Sequence, residues 1–400
     1  MEHEVVTYNP MSPGYFADPY PHYSQLRAEN PVHLTKFGFF IVTRYEDVLA
    51  AYENPLLSRD TRGWNGFRDW RRSPDDGPLE KMMSNWLVMI DPPRHTPLRE
   101  IHERALSPAV LAGCRPAVAA LVHELLAPGL AAGGLDLVGD FANPLPVYVI
   151  NHLLGLPRAD WEQFVAWSRA ISLTSEPMLT RKVLQAGQDA LTAMYEYFGS
   201  LVDRRTAHPG DDVLSLLAQG TTNARMTREE LLDSLVFLYQ ASHPTGTQML
   251  ALGLLSLVNH PDQLAALRAD PGLLPTAIEE LQRFDGPVQM NDRVASVDLD
   301  LFGQHIEAGQ LVRLCLASAN RDPDALPGAE ELDITREKPR HFGYGHGLHY
   351  CVAAALGRIQ TQESFAALLA GAPDLRIPDV KLRFLPSASN RGLAALPVSF

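Results

Sequence analysis

Between Tyr344 and Cys351 the chain reads Tyr344-Gly345-His346-Gly347-Leu348-His349-Tyr350-Cys351, and few backbone paths accommodate it. Gly345 and Gly347 precede the cysteine by six and four residues. There the chain can turn left-handed, or pass close to a rigid surface, without a Cβ in the way. His349, two residues before the cysteine, can donate to an anion. Directly after Cys351 comes Val352-Ala353-Ala354-Ala355-Leu356-Gly357-Arg358, an alanine-rich helical pattern. The thiol therefore sits near a predicted helix N-terminus, whose unpaired N–H groups and dipole favour thiolate over thiol.

The ordinary reading of a free cysteine is a small buried hydrophobe. At this chain's own glycine and histidine frequencies, two glycines and a histidine at these offsets from any of three cysteines have a chance of about 5 × 10⁻⁴. Coincidence is a poor account. A thiolate on a loop shaped to admit a flat partner is what an axial haem ligand requires.

The 400 residues, 46% hydrophobic and 20% charged, suit a globular protein with ample material for a core. Apolar runs are interrupted by Pro, Gly, His or Asn, so no membrane span is expected. The opening Met1-Glu2-His3-Glu4-Val5-Val6 carries neither a basic nor an apolar signal region. Three widely spaced cysteines point to a reducing compartment, and a net charge of −13 disfavours nucleic acid and anionic membrane as partners. A soluble, cytoplasmic, monomeric protein is expected.

Helical periodicity dominates the chain. A helix is predicted near His22–Glu29, strands at Val32–Leu34 and Phe39–Val42, and a helix at Tyr45–Glu53. Residues 58–86 read as irregular, with Arg59, Arg62, Trp64, Phe67, Trp70, Arg71, Arg72 and Trp86. Helices resume to about residue 205, punctuated at Pro128-Gly129, Gly133-Gly134, Pro144 and Pro157. Strand-like segments cluster late, at 292–302, 304–306, 312–316 and the C-terminus. Length alone would suggest two domains, but no linker or repeat divides the chain. One mainly α domain over residues 1–400, with a small β portion, is the expectation.

The longest helix opens with the capping box Thr227-Arg228-Glu229-Glu230 and runs to about Asn259, roughly 50 Å at about 1.5 Å per residue. Midway it reads Gln240-Ala241-Ser242-His243-Pro244-Thr245-Gly246-Thr247. Pro244 cannot donate to the carbonyl of Gln240, so the helix must kink, open or end there. Two readings follow: two successive helices, or a groove beside a cofactor where Ser242, Thr245 and Thr247 hold water.

Taken together these residues resemble the cytochrome P450 family, in its bacterial members, over essentially the whole chain. The Cys351 loop matches the family's haem-binding signature. Glu280-Leu281-Gln282-Arg283 matches its Glu-x-x-Arg motif, a buried ion pair; alone, such a pair is more often a solvated helix face. Asp91 to Arg99 looks like the helix whose His and Arg bind haem propionates. Asp292-Arg293-Val294-Ala295 falls where the family has a propionate arginine, and Asn320-Arg321-Asp322-Pro323 resembles the turn that follows. The resemblance implies the cytochrome P450 fold as a single large domain and haem b held by Cys351. His95, Arg99, Arg293 and His349 are the implied propionate partners, where cationic and N–H donors form charge-assisted bonds.

Three positions depart from the family pattern. Tyr344 stands where Phe is usual, its hydroxyl either tuning the thiolate's surroundings or reaching water. Ala353 replaces a Gly. Ser242 and Pro244 replace the Gly and the carboxylate of Ala-Gly-x-acid-Thr, an acid–alcohol pair that helps deliver protons during oxygen activation. Thr245 remains. The expected relay is Thr245 with His243, Ser242 or an ordered water in place of the acid; equally, His243 can point away from the haem.

The implied reaction is monooxygenation, inserting one atom of O₂ into a C–H bond of a polyketide-derived or aromatic intermediate, a tailoring step of antibiotic biosynthesis. Electrons would come from a separate ferredoxin and ferredoxin reductase, landing near Arg94, Arg104, Lys338, Arg340 and Arg358. Substrate would be walled by 64–88, 170–185, Phe237 to Thr245, Pro287 to Asn291 and Pro386 to Asn390. The arginines of 59–86 suggest an anionic, aromatic or carrier-protein-linked substrate. Oxidative coupling or cyclisation, peroxide-driven chemistry, and a haem-bearing recruitment module without turnover stay open.

Overall fold

The computed structural model describes residues 6–12, 14–66, 77–175 and 180–400. Phe67, Trp70, Arg71 and Arg72 lie outside them, as do 176–179 of the expected 170–185 wall. The residues group into two compact units, neither of them a contiguous stretch. The first comprises 1–68, 248–351 and 374–399; the second comprises 69–247, 352–373 and Phe400.

The first unit is built around a sheet of five strands: β1 (Val32–Leu34), β2 (Phe40–Val42), β3 (Leu57–Ser58), β5 (Met290–Ala295) and β8 (Leu311–Cys315). The spatial order is β1-β2-β8-β5-β3. Only β2 and β8 run parallel, with Ile41 opposite Arg313; the other pairs are antiparallel. Both faces are buried. Phe40, Val42, Val312, Leu314 and Ala295 pack with Val48, Ala51 and Phe342 on one side. Ile41, Leu311, Cys315, Val294 and Met290 pack with Tyr8, Tyr15, Tyr23 and Leu26 on the other. This is the period-2 alternation of a strand covered on both faces, and in β2 it makes Phe40-Ile41-Val42 read as a continuous apolar run. Helices α1 (Tyr20–Glu29) and α2 (Tyr45–Glu53) cover the sheet from opposite faces. Helices α11 (Pro261–Ala269), α12 (Leu274–Asp285) and α13 (Leu316–Ala319) also belong to this unit, and α12 carries the buried ion pair described below.

The second unit is helical apart from the short strand β4 (Gly134–Asp136): α3 (Pro78–Ser84), α4 (His95–Ala105), α5 (Pro108–Ala132), α6 (Pro144–Leu153), α7 (Trp161–Ser172), α8 (Arg181–Ala207), α9 (Val213–Thr222) and α14 (Ala354–Gly371). The expected break at Pro128-Gly129 does not occur, since α5 runs through both Pro116 and Pro128. Leu111, Cys114, Val118, Leu121, Val122, Leu126 and Gly129 form a buried stripe at helical spacing. Burying that stripe outweighs the about 3 kcal/mol per interior proline. Helix α5 is long and apolar enough to cross a membrane by composition, but packing against α14 is the use the structure makes of it.

Helix α10 (Arg228–Asn259) runs unbroken through Pro244, so two successive helices is not the arrangement found. The expected strand at 292–302 is two strands, β5 and β6 (Leu299–Leu301), the second paired with β7 (Gln304–Ile306). Irregular 58–86 contains a short helical turn at Thr61–Gly63 and the helix α3.

Candidate active site

In the first unit the cysteine loop is a chain of backbone bonds. Gly345 N–H donates to Phe342 C=O at 2.8 Å, Tyr350 N–H to Gly347 C=O at 3.0 Å, and Cys351 N–H to Tyr344 C=O at 2.8 Å. Gly345 and Gly347 have φ of +74° and +63°, the left-handed region where any Cβ is strained. The loop is anchored from beneath. Asn320 Oδ1 accepts from Phe342 N–H at 2.7 Å and Gln282 Nε2 donates to Gly343 C=O at 2.8 Å. The ring of Phe342 lies between those of Tyr45 and Tyr52, with centroids at 4.6 and 5.5 Å.

Glu280 and Arg283 are both fully buried. Arg283 Nε and Nη2 donate to the two carboxylate oxygens at 2.8 and 2.6 Å. The guanidinium also donates to the carbonyls of Asn320 (2.8 Å), Ala329 (2.5 Å) and Glu331 (2.8 Å). Such a bidentate pair fixes geometry where a solvated pair would not. It holds the same Asn320 that anchors the cysteine loop.

Arg293, also buried, sits over the ring of Tyr52 at 4.7 Å and donates to Asp292 C=O at 2.9 Å. Burial works to raise the pKa of Asp292, but the cross-strand partner Arg313, at 2.8 and 2.9 Å, and nearby Arg59 and Arg293 outweigh it and hold the carboxyl below its ordinary value. Tyr52, which sequence reasoning passed over, links Arg293 to the cysteine loop. Arg59 is not a loop arginine facing ligand: it is buried, donating to Asn291 Oδ1 and to Asp292 C=O. Arg62 pairs with Asp60 at 2.6 Å. Two arginines that suggested an anionic substrate are thus held by the protein itself. Two of the expected pocket walls meet here, Gln289 N–H donating to Ser389 C=O at 3.0 Å and Arg391 N–H to Pro287 C=O at 2.7 Å.

In the second unit His95 and Arg99 lie one turn apart on α4, His95 buried and Arg99 half-buried with Glu103 at 2.7 Å. Trp86 stacks on Phe237 of α10, centroids 5.1 Å apart, so two further expected walls are brought together. Beside them Asp233 is buried and accepts from Tyr195 Oη and from Asn85 Nδ2 at 2.7 Å. Burial pushes its carboxyl up to about 6.

The middle of α10 has two faces. Ala241 and Pro244 are exposed, and Phe237, Ser242 and Thr245 half-buried. His243 and Thr247 are buried. On a helix, Phe237, Ala241, Pro244 and Thr245 share one stripe, and His243 falls about 200° from Thr245. The structure therefore does not bring His243 and Thr245 together. His243 Nδ1 lies 2.8 Å from Ser168 Oγ and Nε2 2.9 Å from Asn143 Oδ1. Burial pushes its pKa down to about 4. Thr245 Oγ1 donates to Ala241 C=O. Arg94, offered above as a landing cation, is engaged with Glu230 and with Arg225 C=O.

A family model described as cytochrome P450 matches residues 147–370. The cytochrome P450 monooxygenase PikC of Streptomyces venezuelae is 36% identical over 96% of this chain and 91% of its own. The polyketide biosynthesis cytochrome P450 PksS of Bacillus subtilis (strain 168) is 30% identical over 99% of each chain. The crystal structure of P450BioI in complex with hexadec-9Z-enoic acid ligated acyl carrier protein has a TM-score of 0.89 and 32% identity, over 97% of this chain and 100% of that one.

The chain belongs to the cytochrome P450 family. It has the P450 fold, helical with a small sheet portion, and it is a P450 monooxygenase. The cofactor of a P450 is haem b, held by an axial cysteine thiolate. The donor set fits that group. Burial raises the thiol pKa of Cys315 to about 12 and that of Cys114 above its ordinary value, and neither is suited to ionise. Cys351 alone of the three cysteines is exposed, on a loop whose shape two left-handed glycines fix.

Proposed function

We propose that Cys351 is the axial ligand and that residues 1–400 act as one P450 domain, inserting one oxygen atom of O₂ into a C–H bond of a natural-product intermediate. What carries the reading is the exposed thiol of Cys351 on its glycine-turned, backbone-bonded loop. When bound, the haem supplies reductive activation of O₂, made more forceful by the electron-rich thiolate. The chain's own residues do the rest. The Glu280–Arg283 pair and Asn320 hold the loop; His95, Arg99, Arg293 and His349 supply cationic and N–H donors for the propionates; Tyr344 gives its carbonyl to the Cys351 amide. Thr245, on the exposed stripe of α10, delivers a proton, with Ser242 or water behind it.

The name of PksS supports a polyketide-derived substrate, and the P450BioI complex supports one offered on a carrier protein. A ferredoxin and its reductase would supply electrons, with Arg104, Lys338, Arg340 and Arg358 as the candidate docking cations. The cytoplasm would be the compartment and the monomer the working form. Pro244 favours a second reading. With no carboxylate at that place, oxidative coupling or peroxide-driven turnover needs less proton delivery than O₂ reduction does.

The test is spectroscopic. The reduced, CO-treated holoprotein is expected to show the red-shifted Soret band of a thiolate ligand, and polyketide or aromatic acids, free and carrier-linked, are expected to shift the resting Soret band. A reduced CO band at the position of an imidazole-ligated haem would remove Cys351 from its role. Product from NADH with surrogate redox proteins, and none from peroxide alone, would decide against the second reading.

A further inference from the structure

Pro244 offers no N–H to Gln240 C=O, yet α10 stays helical across the gap. Side chains of the helix on either side of the gap reach out to neighbouring elements instead. Gln240 Nε2 donates to Ser168 C=O at 3.2 Å, and Gln240 Oε1 accepts from Ser172 Oγ at 2.8 Å. Thr247 Oγ1 lies 2.7 Å from His243 C=O and 3.1 Å from Ala142 C=O, its one proton shared between them. His243 bonds Ser168 on α7 and Asn143 before α6. Gln240, His243 and Thr247 are spaced three and four apart and form one face, opposite the stripe that carries Thr245.

The ring's protonation follows from its partners. Asn143 Oδ1 can only accept, so Nε2 carries the proton; Nδ1 is then an acceptor and takes the hydroxyl proton of Ser168. A doubly protonated ring would set an N–H against Ser168 with its hydroxyl turned away. A neutral, Nε2–H imidazole satisfies every group.

We infer that His243 is a positioning residue for Thr245: with Ser168 and Asn143 it holds the α10 turn that proline leaves without its backbone bond, and so ties the Thr245 hydroxyl to the position of α7. It gives no proton to the reaction. The inference rests on the reading of Thr245 as the proton-delivering hydroxyl.

The C–O stretch of the reduced, CO-bound holoenzyme reports a hydroxyl near the ligand, and reads position rather than stability. Thr245→Ala is expected to move it. Ser168→Ala, which removes one buried hydroxyl and little volume, is expected to move or split the band too, and to raise peroxide formed per NADH consumed roughly 2–10-fold, what one neutral hydrogen bond is worth. His243→Leu should do the same more strongly, and His243→Gln, which keeps an N–H toward Asn143, less. Adding Pro244→Ala, which returns an N–H to Gln240 C=O, should bring the Ser168→Ala band back toward that of Pro244→Ala alone. An unmoved band in Ser168→Ala beside a moved one in Thr245→Ala overturns the positioning role and spares the reading of Thr245. An unmoved band in Thr245→Ala overturns both. Nitrogen-15 resonances showing a protonated Nδ1 on His243 would overturn the wiring whatever the variants do.

Discussion

The cysteine loop and the middle of α10 are held in place by opposite means. Around Cys351 the restraints act on the main chain: three amide–carbonyl bonds, two glycines at positive φ, and the side chains of Asn320 and Gln282 bonded to backbone groups above one buried ion pair. Around Thr245 a main-chain bond is missing at Pro244, and side chains of Gln240, His243 and Thr247 reach other elements instead. The first device needs particular residues at particular spacings and tolerates little else. The second needs only polar side chains that happen to meet, so its sequence can depart from the family pattern while the helix stays whole.

The comparison breaks most visibly at the sulfur. Cys351→Ala is expected to abolish the red-shifted reduced CO band entirely, measured on protein reconstituted with haem. Glu280→Gln leaves Arg283 with a buried, uncompensated charge, and about 3–5 kcal/mol of stability should go, read by urea unfolding. A loss no larger than that of an exposed pair would mean the ion pair does not organise the loop. Thr245→Ala should leave folding and the red-shifted Soret band of the reduced, CO-bound form in place, though it moves the C–O stretch, while NADH is diverted to peroxide several-fold; unchanged coupling would take the hydroxyl out of proton delivery. The smallest effect concerns Asp233, whose carboxyl is raised by burial to about 6. A raised folded-state pKa means that the stability it contributes is full below its ordinary value, near 3.8, and is lost as pH rises through about 6. Thermal melts should therefore show a decline from pH 4 to 7 that is shallower in Asp233→Asn. Equal slopes in both proteins would exclude it.

Much of the first region was legible beforehand. Glycine at a left-handed turn and a cysteine before a helix follow from backbone geometry, which sequence spacing encodes; the burial of Glu280 with Arg283 was implied only by the family resemblance, since that spacing alone fits a solvated helix face. Tyr52 was not legible, because a tyrosine on a helix opposite an arginine on a strand leaves no local signature. The direction of His243 was open for a related reason: helical periodicity gives the angle between His243 and Thr245 but not which face is covered. Arg59 misled because a buried arginine paired to β5 carries the same letter as one facing ligand.

The sequence alone determined the elements whose cause is local: the loop that presents Cys351, the one-turn spacing of Glu280 and Arg283 on a helix, and the helical character of most of the chain. Spacing sets those, since bonds within a few residues decide them. Only the tertiary structure decided that Ser168 and Asn143 hold His243, that the cysteines at 114 and 315 are buried, and that α10 survives its proline. Each depends on which groups distant in the chain lie within about 3 Å of one another, and that is a property of packing.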